Sequence, residues 1–208
     1  MRTALLCFVV ALVGCRETAK APEAPKATSK AAVVAPVDTA PIEGALAYPF
    51  TQADSKVSWV GRKVTMKHEG AFGIFGGIIE LVGSEPTKSR VRAELDMSSL
   101  TTSPEDLVEH LKSADFFSVS EFPRATFVST AIAKSGAAYS VTGNLTLHGV
   151  TRSLTFPATI AISDAEVTVN AEFAINRKDF GVLYPGKPDN LIADDVAIKL
   201  ELHAKKKS

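Results

Sequence analysis

Apolar and polar residues alternate along much of this chain with a period of two. The alternation is cleanest over residues 90–97, 153–163, 166–175 and 195–203. Because successive side chains of a β-strand point to opposite faces of a sheet, each segment predicts a strand with one buried face and one face in water. Weaker alternation raises the count to about eight strands. The weaker segments are residues 56–64, 74–83, 124–133 and 138–147.

Turn residues between these segments predict that neighbouring strands pair as hairpins. His148-Gly149 and Ser163-Asp164 each separate two alternating runs, and Gly149 can supply the positive φ that tight hairpin turns need. Hairpins pair strands antiparallel, since parallel strands need long crossovers. Strands of this kind can close into a barrel, which leaves no exposed edge. We therefore predict an all-β fold, an eight-stranded antiparallel barrel, with a two-sheet sandwich as the alternative.

One short segment carries the signals of a helix. Ser103 is a favourable N-cap, Pro104 suits the first helical position, and two acidic residues follow in the first turn. Leu107 and Leu111 then lie on one face of a helix. The segment predicts a short helix that ends near Ser113 and flanks the barrel.

The N-terminus predicts an export signal followed by a lipid anchor. Arg2 precedes an apolar run over residues 4–13, which is too short to cross a bilayer core of about 30 Å as a helix. The run ends in the string LVGC, whose last residue is Cys15, and this ending resembles the bacterial lipobox. Residues 1–14 are therefore predicted to be a lipoprotein signal peptide, with Cys15 acylated as the first mature residue. The alternative is an ordinary secretory signal in which the cysteine is incidental.

Residues 15–45 are predicted to be a tether between the membrane and the domain. After Cys15 the stretch is rich in Ala, Pro, Lys and Thr, and it contains no aromatic residue. Such a sequence buries too little apolar area to offset the entropy that is lost on ordering. We expect a disordered tether, followed by one folded domain over residues 46–205.

Charge and motif content argue against several classes of function. The chain has 23 basic and 23 acidic side chains, whereas a nucleic-acid partner requires a positive field to neutralise phosphates. Both cysteines, Cys7 and Cys15, precede the domain, which therefore has no disulfide and no Cys-based zinc site. No nucleophile elbow, metalloprotease motif or phosphate loop occurs. We expect a protein that is not an enzyme and has no metal, cofactor or nucleic-acid partner.

Small residues on the apolar side of the strands raise the question of what fills the interior. Ala93, Gly143, Ala158 and Ala171 belong to the apolar phase. A barrel of about eight strands either fills with side chains or admits one small ligand. From the residues alone, a ligand cavity and a filled barrel remain equally open.

Several strings in a fixed order resemble the YceI-like family of polyisoprenoid-binding domains. Each string alone is weak, whereas the ordered set is specific, and it spans residues 48–204. The strings are Val57-Ser-Trp59, Lys67-His68-Glu-Gly70 followed by Phe72, Ser99-Leu100-Thr101-Thr102, the run from His110 to Phe117, the run from Phe122 to Phe127, the run from Thr142 to Thr151, and Arg177-Lys-Asp-Phe180-Gly181.

The resemblance implies a lipocalin-like antiparallel barrel with an apolar channel for a long isoprenoid chain, such as a quinone or a prenyl phosphate. Members of the family are commonly periplasmic or secreted. We therefore expect an envelope lipoprotein that carries or stores such a lipid, anchored at the periplasmic face of the outer membrane. The alternative is a non-catalytic structural or interaction module of the envelope with a filled barrel.

The candidate ligand-binding residues are aromatic residues of the predicted interior and basic residues at its mouth. An apolar channel binds an apolar chain with few polar partners, and ordinary core packing is the alternative for each aromatic residue. Lys63, His68 and Arg177 are candidates for contact with a polar head group, and a structural hydrogen bond or a surface charge is their alternative. The candidate lining residues are Trp59, Phe72, Phe75, Phe116, Phe117, Phe156 and Phe173.

The lipid anchor can be tested by metabolic labelling. Cys15→Ser removes the thiol that would receive the diacylglyceryl group, so a tagged palmitate analogue should label the wild type and not the variant. The measurement is the label on the purified protein after growth with the analogue. Cys7→Ser is the matched control and should be labelled like the wild type, because Cys7 leaves with the signal peptide. Equal labelling of the Cys15→Ser protein would contradict the assignment.

Overall fold

The structure, a computed structural model, describes residues 24–32 and 40–206. The predicted signal peptide, Cys15 and the first part of the predicted tether lie outside the described residues. In the described part the fold is all-β, with one α-helix, α1, at Glu105–Lys112. The strands of this part are β1 (Thr28–Ala31), β2 (Leu46–Thr51), β3 (Lys56–Arg62), β4 (Lys67–Phe72), β5 (Phe75–Val82), β6 (Glu85–Asp96), β7 (Leu100–Thr102), β8 (Arg124–Ser135), β9 (Ala138–Leu147), β10 (Val150–Ile162), β11 (Glu166–Asn176), β12 (Gly186–Lys187), β13 (Asn190–Leu191) and β14 (Asp195–Lys205).

Most of these strands form one antiparallel sheet that curls strongly. The order of hydrogen-bonded neighbours is β2, β5, β6, β8, β9, β10, β11, β14, β3, β4 and β7, and β1 joins the sheet at β10. Although β2 and β14 stand far apart in this order, they also contact each other. The sheet therefore curls round on itself into a half-barrel. β12 and β13 form a separate two-stranded sheet.

All the alternating segments of the sequence are strands, namely β3, β5, β6, β8, β9, β10, β11 and β14. The two predicted hairpins are confirmed, because Leu147 pairs with Val150 across one turn and Ile162 pairs with Val167 across the other. Gly149 has the expected positive φ, at 71°. The described residues nevertheless contain 14 strands rather than eight. The additional strands have only 2 to 6 residues each, too few to show a clear alternation.

The apolar phase of the strands faces inward and forms the main core. On β11, alternate residues from Val167 to Ile175 are buried, whereas the residues between them, except Ala174, are exposed or half-buried. Complete burial of a large apolar side chain stabilises a fold by about 1.5–3 kcal/mol. The largest members of this cluster, which we call the main core, are Tyr48, Phe50, Phe75, Phe156, Phe173 and Phe180.

The short helix is present but begins differently from the prediction. Pro104 occupies the N-cap position, with φ −72° and ψ 167°, and no side chain caps the helix. The predicted cap at Ser103 is therefore wrong. The Ser103 carbonyl lies 3.3 Å from Nδ1 of His68, so this residue contacts β4 instead. The helix ends at Ser113 as predicted, where the amide bonds to carbonyls of the last turn.

Part of the predicted tether is a strand of the sheet. β1 pairs with residues 152–155 of β10, whereas β10 pairs with β11 only through residues 159–162. The Ala27 amide donates to the Ala174 carbonyl of β11 at 2.8 Å, and the Ala174 amide donates to the Pro25 carbonyl at 2.9 Å. The segment thus fills the gap where β10 and β11 separate. The prediction of a disordered tether is wrong for this part.

Another part of the predicted tether packs on the outer face of the sheet. The Ile42 amide donates to Oε1 of Glu80 at 3.3 Å, and Arg90 donates to the Ala40 carbonyl. Glu80 is buried and ion-paired with Arg90 and Arg92. Burial raises the pKa of Glu80, but its hydrogen bonds and the two guanidinium groups outweigh burial and hold the pKa below its usual value. This charged cluster fixes the loop before β2, so the prediction of disorder is wrong here as well.

The attachment of β1 can be tested by placing a charge beneath it. Ala27 is only 7% exposed, so Ala27→Asp would bury an unpaired carboxylate, which is costly. We expect β1 to detach and amide exchange of residues 28–31 to accelerate by about tenfold or more. Exchange in the β11–β14 pair should change little, because those hydrogen bonds do not involve β1. The measurement is hydrogen–deuterium exchange followed by mass spectrometry.

Ala31→Asp is the matched control for this experiment, because Ala31 lies at the other end of β1 and is exposed, whereas Ala27 immediately precedes the strand and is buried. Exchange in that variant should resemble the wild type. Identical exchange in the wild type and the Ala27→Asp protein would show that Ala27 does not hold the strand in place.

Candidate functional site

The inner surface of the half-barrel is the candidate site. A set of inward apolar side chains packs against the main core but remains partly accessible to water. Protein interiors are otherwise close-packed, so partial accessibility on several strands indicates an inner surface that is not covered throughout. The set comprises Phe72 of β4, Val91, Ala93 and Leu95 of β6, Phe127 of β8, Tyr139, Leu145 and Leu147 of β9, Val150, Ile160 and Ile162 of β10, and Ile198 and Leu200 of β14.

A row of three aromatic rings crosses this inner surface. Phe156 of β10 stacks on Phe173 of β11 with ring centroids 4.1 Å apart and an interplanar angle of 13°. Phe127 of β8 lies 5.7 Å from Phe156. Phe156 and Phe173 are buried, whereas Phe127 is half-buried. The sequence-predicted residues of this row thus lie inside the fold, and their contact with a ligand stays a prediction.

Strand glycines let some of these rings lie flat against the sheet. A Cβ atom at Gly143 would come within 2.3 Å of the Phe127 ring. One at Gly77 would come within 2.3 Å of the Phe50 ring. Any larger residue would push the ring away from the sheet. The glycines therefore set how closely the aromatic rings approach the wall of the half-barrel.

A second apolar cluster, the helix cluster, lies beneath α1. Phe72 of β4 packs against both this cluster and the main core, which makes the two apolar regions continuous. Phe117 and Tyr184 pack against it and remain partly exposed. The buried members of the helix cluster are Trp59, Leu100, Leu111, Phe116 and Val182.

Two buried nitrogen atoms in this region lack a hydrogen-bond partner among the described residues. The Trp59 indole lies over Gly70, and its Nε1 is unpaired. Nε2 of His68 is also unpaired, while its Nδ1 lies 3.3 Å from the Ser103 carbonyl. Trp59 pairs with Gly70, and Gly61 pairs with His68, so Trp59 and His68 lie on one face of β3 and β4. The indole N–H of Trp59 is a donor, and an unmet buried donor costs about 1–3 kcal/mol, a cost that an acceptor oxygen of a ligand would remove.

The surroundings of Arg177 differ from those expected for a residue at the mouth of a site. Its side chain is buried and donates to the carbonyls of Val182 at 2.7 Å, Ala193 at 3.1 Å and Ile192 at 3.4 Å. Burial lowers the pKa of Arg177, and the carboxylate of Asp194, 3.4 Å away, opposes this effect. The guanidinium thus holds the loop after β11 in place. Such structural hydrogen bonds are the alternative to contact with a head group that the sequence analysis left open for Arg177. Its contact with a head group stays a prediction.

The structure brings the predicted residues together in two groups rather than one. Lys63 is half-buried at the start of the β3–β4 turn, next to Ile192 and near His68 in sequence. The aromatic candidates divide between the two clusters, with Phe72 touching both. The main core contains Phe75, Phe156 and Phe173, and the helix cluster contains Trp59 and Phe116, with Phe117 packed against it.

Sequence reasoning missed several aromatic residues of the interior, among them Phe50, Phe127 and Tyr184. Phe50 lies in a short strand that contains Pro49, and Tyr184 lies outside any strand. Phe127 belongs to the apolar phase of a recognised segment. The sequence signal that could have identified Phe127 is Gly143 on the neighbouring strand, because a glycine within a strand often marks a place where another group approaches the backbone closely.

Two clefts lie on the outside of the sheet rather than on this inner surface. One, of about 580 Å³, is lined mainly by outward residues of β14, β3, β4 and β7, such as Lys56 and Lys199. The other, of about 590 Å³, is lined by residues such as Gly76 and Glu94. Charged side chains lie at the first cleft, among them Lys56, Glu172 and Lys199, and at the second, namely Glu94, Asp96 and Arg124.

The inner surface of the described part of the chain is mainly apolar. Within residues 24–32 and 40–206, no group of three or more His, Cys, Asp or Glu side chains could hold a metal ion. In the same residues, no helix is long and apolar enough to cross a membrane. What the geometry provides is a curved apolar wall with two unpaired nitrogen atoms at one side.

Comparison with solved structures identifies similar folds. The crystal structure of BcnA from Burkholderia cenocepacia has a TM-score of 0.66 and 32% sequence identity, and the match covers 74% of this chain and 98% of that chain. A polyisoprenoid binding domain from Saccharophagus degradans, implicated in plant cell wall breakdown, has a TM-score of 0.64. That match covers 78% of this chain and 99% of the other, but the identity is 17%, so it shows the fold alone.

Sequence comparison gives a consistent assignment. A UPF0312 protein of Pseudomonas putida is 33% identical over 153 residues, which cover 70% of this chain and 78% of that protein. A UPF0312 protein of Pectobacterium atrosepticum is 34% identical over 119 residues, which cover 54% of this chain and 62% of that protein. Residues 48–204 match the YceI-like domain. The chain therefore belongs to the YceI-like domain family.

Proposed function

We propose that this protein is an envelope lipoprotein that binds an apolar isoprenoid or a similar long-chain lipid, as a carrier or a reservoir. The observation that carries the proposal is the set of partly accessible apolar side chains on the inner surface of the half-barrel. Removing a methylene group from water gains about 0.8 kcal/mol, so a long chain laid along this wall would bind without polar contacts. The polyisoprenoid binding domain that shares this fold supports the choice of ligand class.

The proposal includes a lipocalin-like barrel in the ligand-bound protein. Eight strands, β2, β5, β6, β8, β9, β10, β11 and β14, follow one another in the sheet, and the first and last of them contact each other. A barrel of about eight strands can hold one small ligand. In this arrangement β3, β4 and β7 extend the wall beneath α1.

A polar head group would lie in the helix cluster. The unpaired nitrogen atoms of Trp59 and His68 face the same side of β3 and β4. Nε2 of His68 accepts a hydrogen bond in the neutral ring whose Nδ1 donates to the Ser103 carbonyl, whereas the indole N–H of Trp59 needs an acceptor oxygen atom. A quinone carbonyl or a phosphate oxygen provides such an acceptor. Lys63, at the adjacent turn, adds a positive charge. The apolar chain would then extend past Phe72 along the partly accessible wall beside the main core.

The remaining parts of the proposal concern location and chemistry. Acylation of Cys15 would anchor the protein in the bacterial envelope, with the periplasmic face of the outer membrane as the expected place. Two or more acyl chains give stable anchoring, whereas one gives only reversible binding. The proposed role is binding without catalysis.

The second candidate is a structural or interaction module with a filled interior. The observation that favours it is the stack of Phe156 on Phe173, with Phe127 beside it. These rings occupy the middle of the inner surface and would have to share it with a ligand. In this case the inner wall serves stability alone.

Extraction of bound lipid separates the two candidates. Protein purified in mild detergent from its native host should release a long-chain isoprenoid into organic solvent, at a molar ratio near one, because the apolar wall retains it. The measurement is mass spectrometry of the extract, with an unrelated lipoprotein purified in parallel as the control. An extract that contains only the membrane phospholipids of the control would favour the filled interior.

Two alanine substitutions give a second, independent test. Ala93 is partly accessible on the inner wall, whereas Ala158 is only 3% exposed in the main core. In protein stripped of lipid, Ala158→Phe should overpack the core and lower the free energy of unfolding by about 1–3 kcal/mol. Ala93→Phe should cost less stability and weaken binding of a long-chain isoprenoid about tenfold or more, since ring and chain compete for one volume.

Denaturant unfolding and a fluorescence binding titration measure these two effects. Equal destabilisation by both substitutions, with no detectable isoprenoid binding by the wild type, would contradict the carrier proposal. Unchanged affinity in the Ala93→Phe protein would place the ligand elsewhere on the wall.

A further inference from the structure

Four large apolar side chains project into water from two adjoining loops. Val64 is 74% exposed, Met66 51%, Leu183 63% and Leu191 50%. Among the described residues, only Leu46 and Ile74 are other exposed apolar side chains of this size. Exposed apolar residues scattered singly are ordinary, whereas a group of them marks an interaction surface. We call these four residues the apolar tip.

The two loops are held together, so the apolar tip is one surface. The Val64 amide donates to the Leu191 carbonyl at 3.3 Å, and the Ala193 amide donates to the Arg62 carbonyl at 2.9 Å. Thr65 donates from Oγ1 to Oδ1 of Asn190 at 3.3 Å. The β3–β4 turn and the β12–β13 hairpin are therefore joined by three hydrogen bonds.

Basic residues surround the apolar tip. Residues 62–67 contain Arg62, Lys63 and Lys67 and no acidic residue, and residues 183–192 contain Lys187 and Asp189. Lys67 is ion-paired with Glu69, at 2.5 Å. The rim is therefore net positive, and it surrounds apolar side chains that have no partner surface in the fold. This combination complements a bilayer with anionic head groups, which attracts basic residues and accepts apolar side chains at its interface.

The N-terminal segment enters the fold beside the apolar tip. Lys26 is ion-paired with Asp195 at 2.8 Å, and Asp195 follows closely after Ala193, whose amide bonds to the Arg62 carbonyl. A chain segment from Cys15 to Pro25 spans at most about 35 Å. An acyl anchor on Cys15 would thus hold this side of the molecule close to the membrane.

We propose that the apolar tip docks on the surface of an anionic bilayer and places the helix cluster at the membrane for exchange of lipid. Leu183 is followed by Tyr184, and Leu191 by Ile192, and both following residues pack against the helix cluster. A lipid that leaves the bilayer at the apolar tip would therefore meet Trp59 and Phe72 without crossing open water. This inference rests on the proposed function for the identity of the cargo, but docking itself requires no cargo.

A fluorescent probe at the apolar tip tests docking directly. The mature chain, predicted to begin at residue 15, has no cysteine once Cys15→Ser is made, so Met66→Cys places a single environment-sensitive probe on the tip. Vesicles of phosphatidylethanolamine with about 30% phosphatidylglycerol, and without isoprenoid, carry a quencher on their acyl chains. We expect the probe to be quenched when vesicles are added. Asp164→Cys is the matched control, because Asp164 lies beyond the far ends of β11 and β14, and its probe should stay unquenched.

Substitutions of apolar residues provide the next test. Leu183→Ser with Leu191→Ser, in the chain labelled at position 66, should raise the lipid concentration for half-maximal quenching about tenfold or more, because two apolar side chains no longer enter the interface. Leu46→Ser with Ile74→Ser is the matched control and should leave that concentration unchanged. All four positions are exposed, so none of the substitutions removes core packing.

Substitutions of charged residues test the basic rim. Arg62→Gln with Lys187→Gln should raise the lipid concentration for half-maximal quenching at low salt, by about fivefold for each charge removed. The increase should be smaller at high salt, where the charges are screened. Lys88→Gln with Lys134→Gln makes the same change in net charge at exposed positions elsewhere and should have little effect.

Equal quenching of the probes at positions 66 and 164, or equal effects of the tip and control substitutions, would overturn the proposal. A probe at position 66 that becomes shielded in concentrated protein without vesicles, together with a dimer in sedimentation, would assign the apolar tip to a second copy of the chain and also overturn it. Organic extraction of the same variants reports bound lipid separately. Loss of docking and absence of a ligand are therefore distinguishable.

Discussion

The structure depends on one constraint, namely that every strand of a long antiparallel sheet has an apolar face that must leave water. A flat sheet would expose that face along its whole length, whereas strong curling turns it toward itself. The contact between β2 and β14 brings distant parts of the curled sheet together. The main core, the aromatic row and the partly accessible wall all follow from it. Curling thus creates the stability of the fold and, at the same time, a concave apolar surface.

The enclosure is incomplete where strands separate, and the chain closes these places in different ways. β10 and β11 part beyond their short ladder, and β1 fills the gap with backbone hydrogen bonds and the single buried side chain of Ala27. At the other side of the sheet, β3, β4 and β7 continue past β14 and are covered by α1. Arg177 fixes the loop between these regions through backbone carbonyls. The unpaired nitrogen atoms of Trp59 and His68 lie in the covered region.

These features place the polar and membrane-facing elements of the proposed function on one side of the molecule. The helix cluster, the apolar tip and the entry of the N-terminal segment are neighbours through short backbone contacts. A lipid-binding protein gains from this arrangement, because an apolar ligand is poorly soluble in water and moves most readily between adjoining apolar surfaces. The partly accessible wall beside the main core lies further along and would receive the chain of the ligand.

The sequence by itself determined the all-β class, the eight long strands, two hairpin turns and the inward position of residues such as Phe156 and Phe173, because side-chain alternation is a local property of a strand. It did not determine β1, the start of α1, the burial of Arg177 or the apolar tip. Ala27 is buried only because β10 and β11 separate there, and Val64 meets Leu191 only because two distant loops adjoin. Such features depend on which segments meet in space, and that is decided by the tertiary packing of the whole sheet rather than by any local pattern.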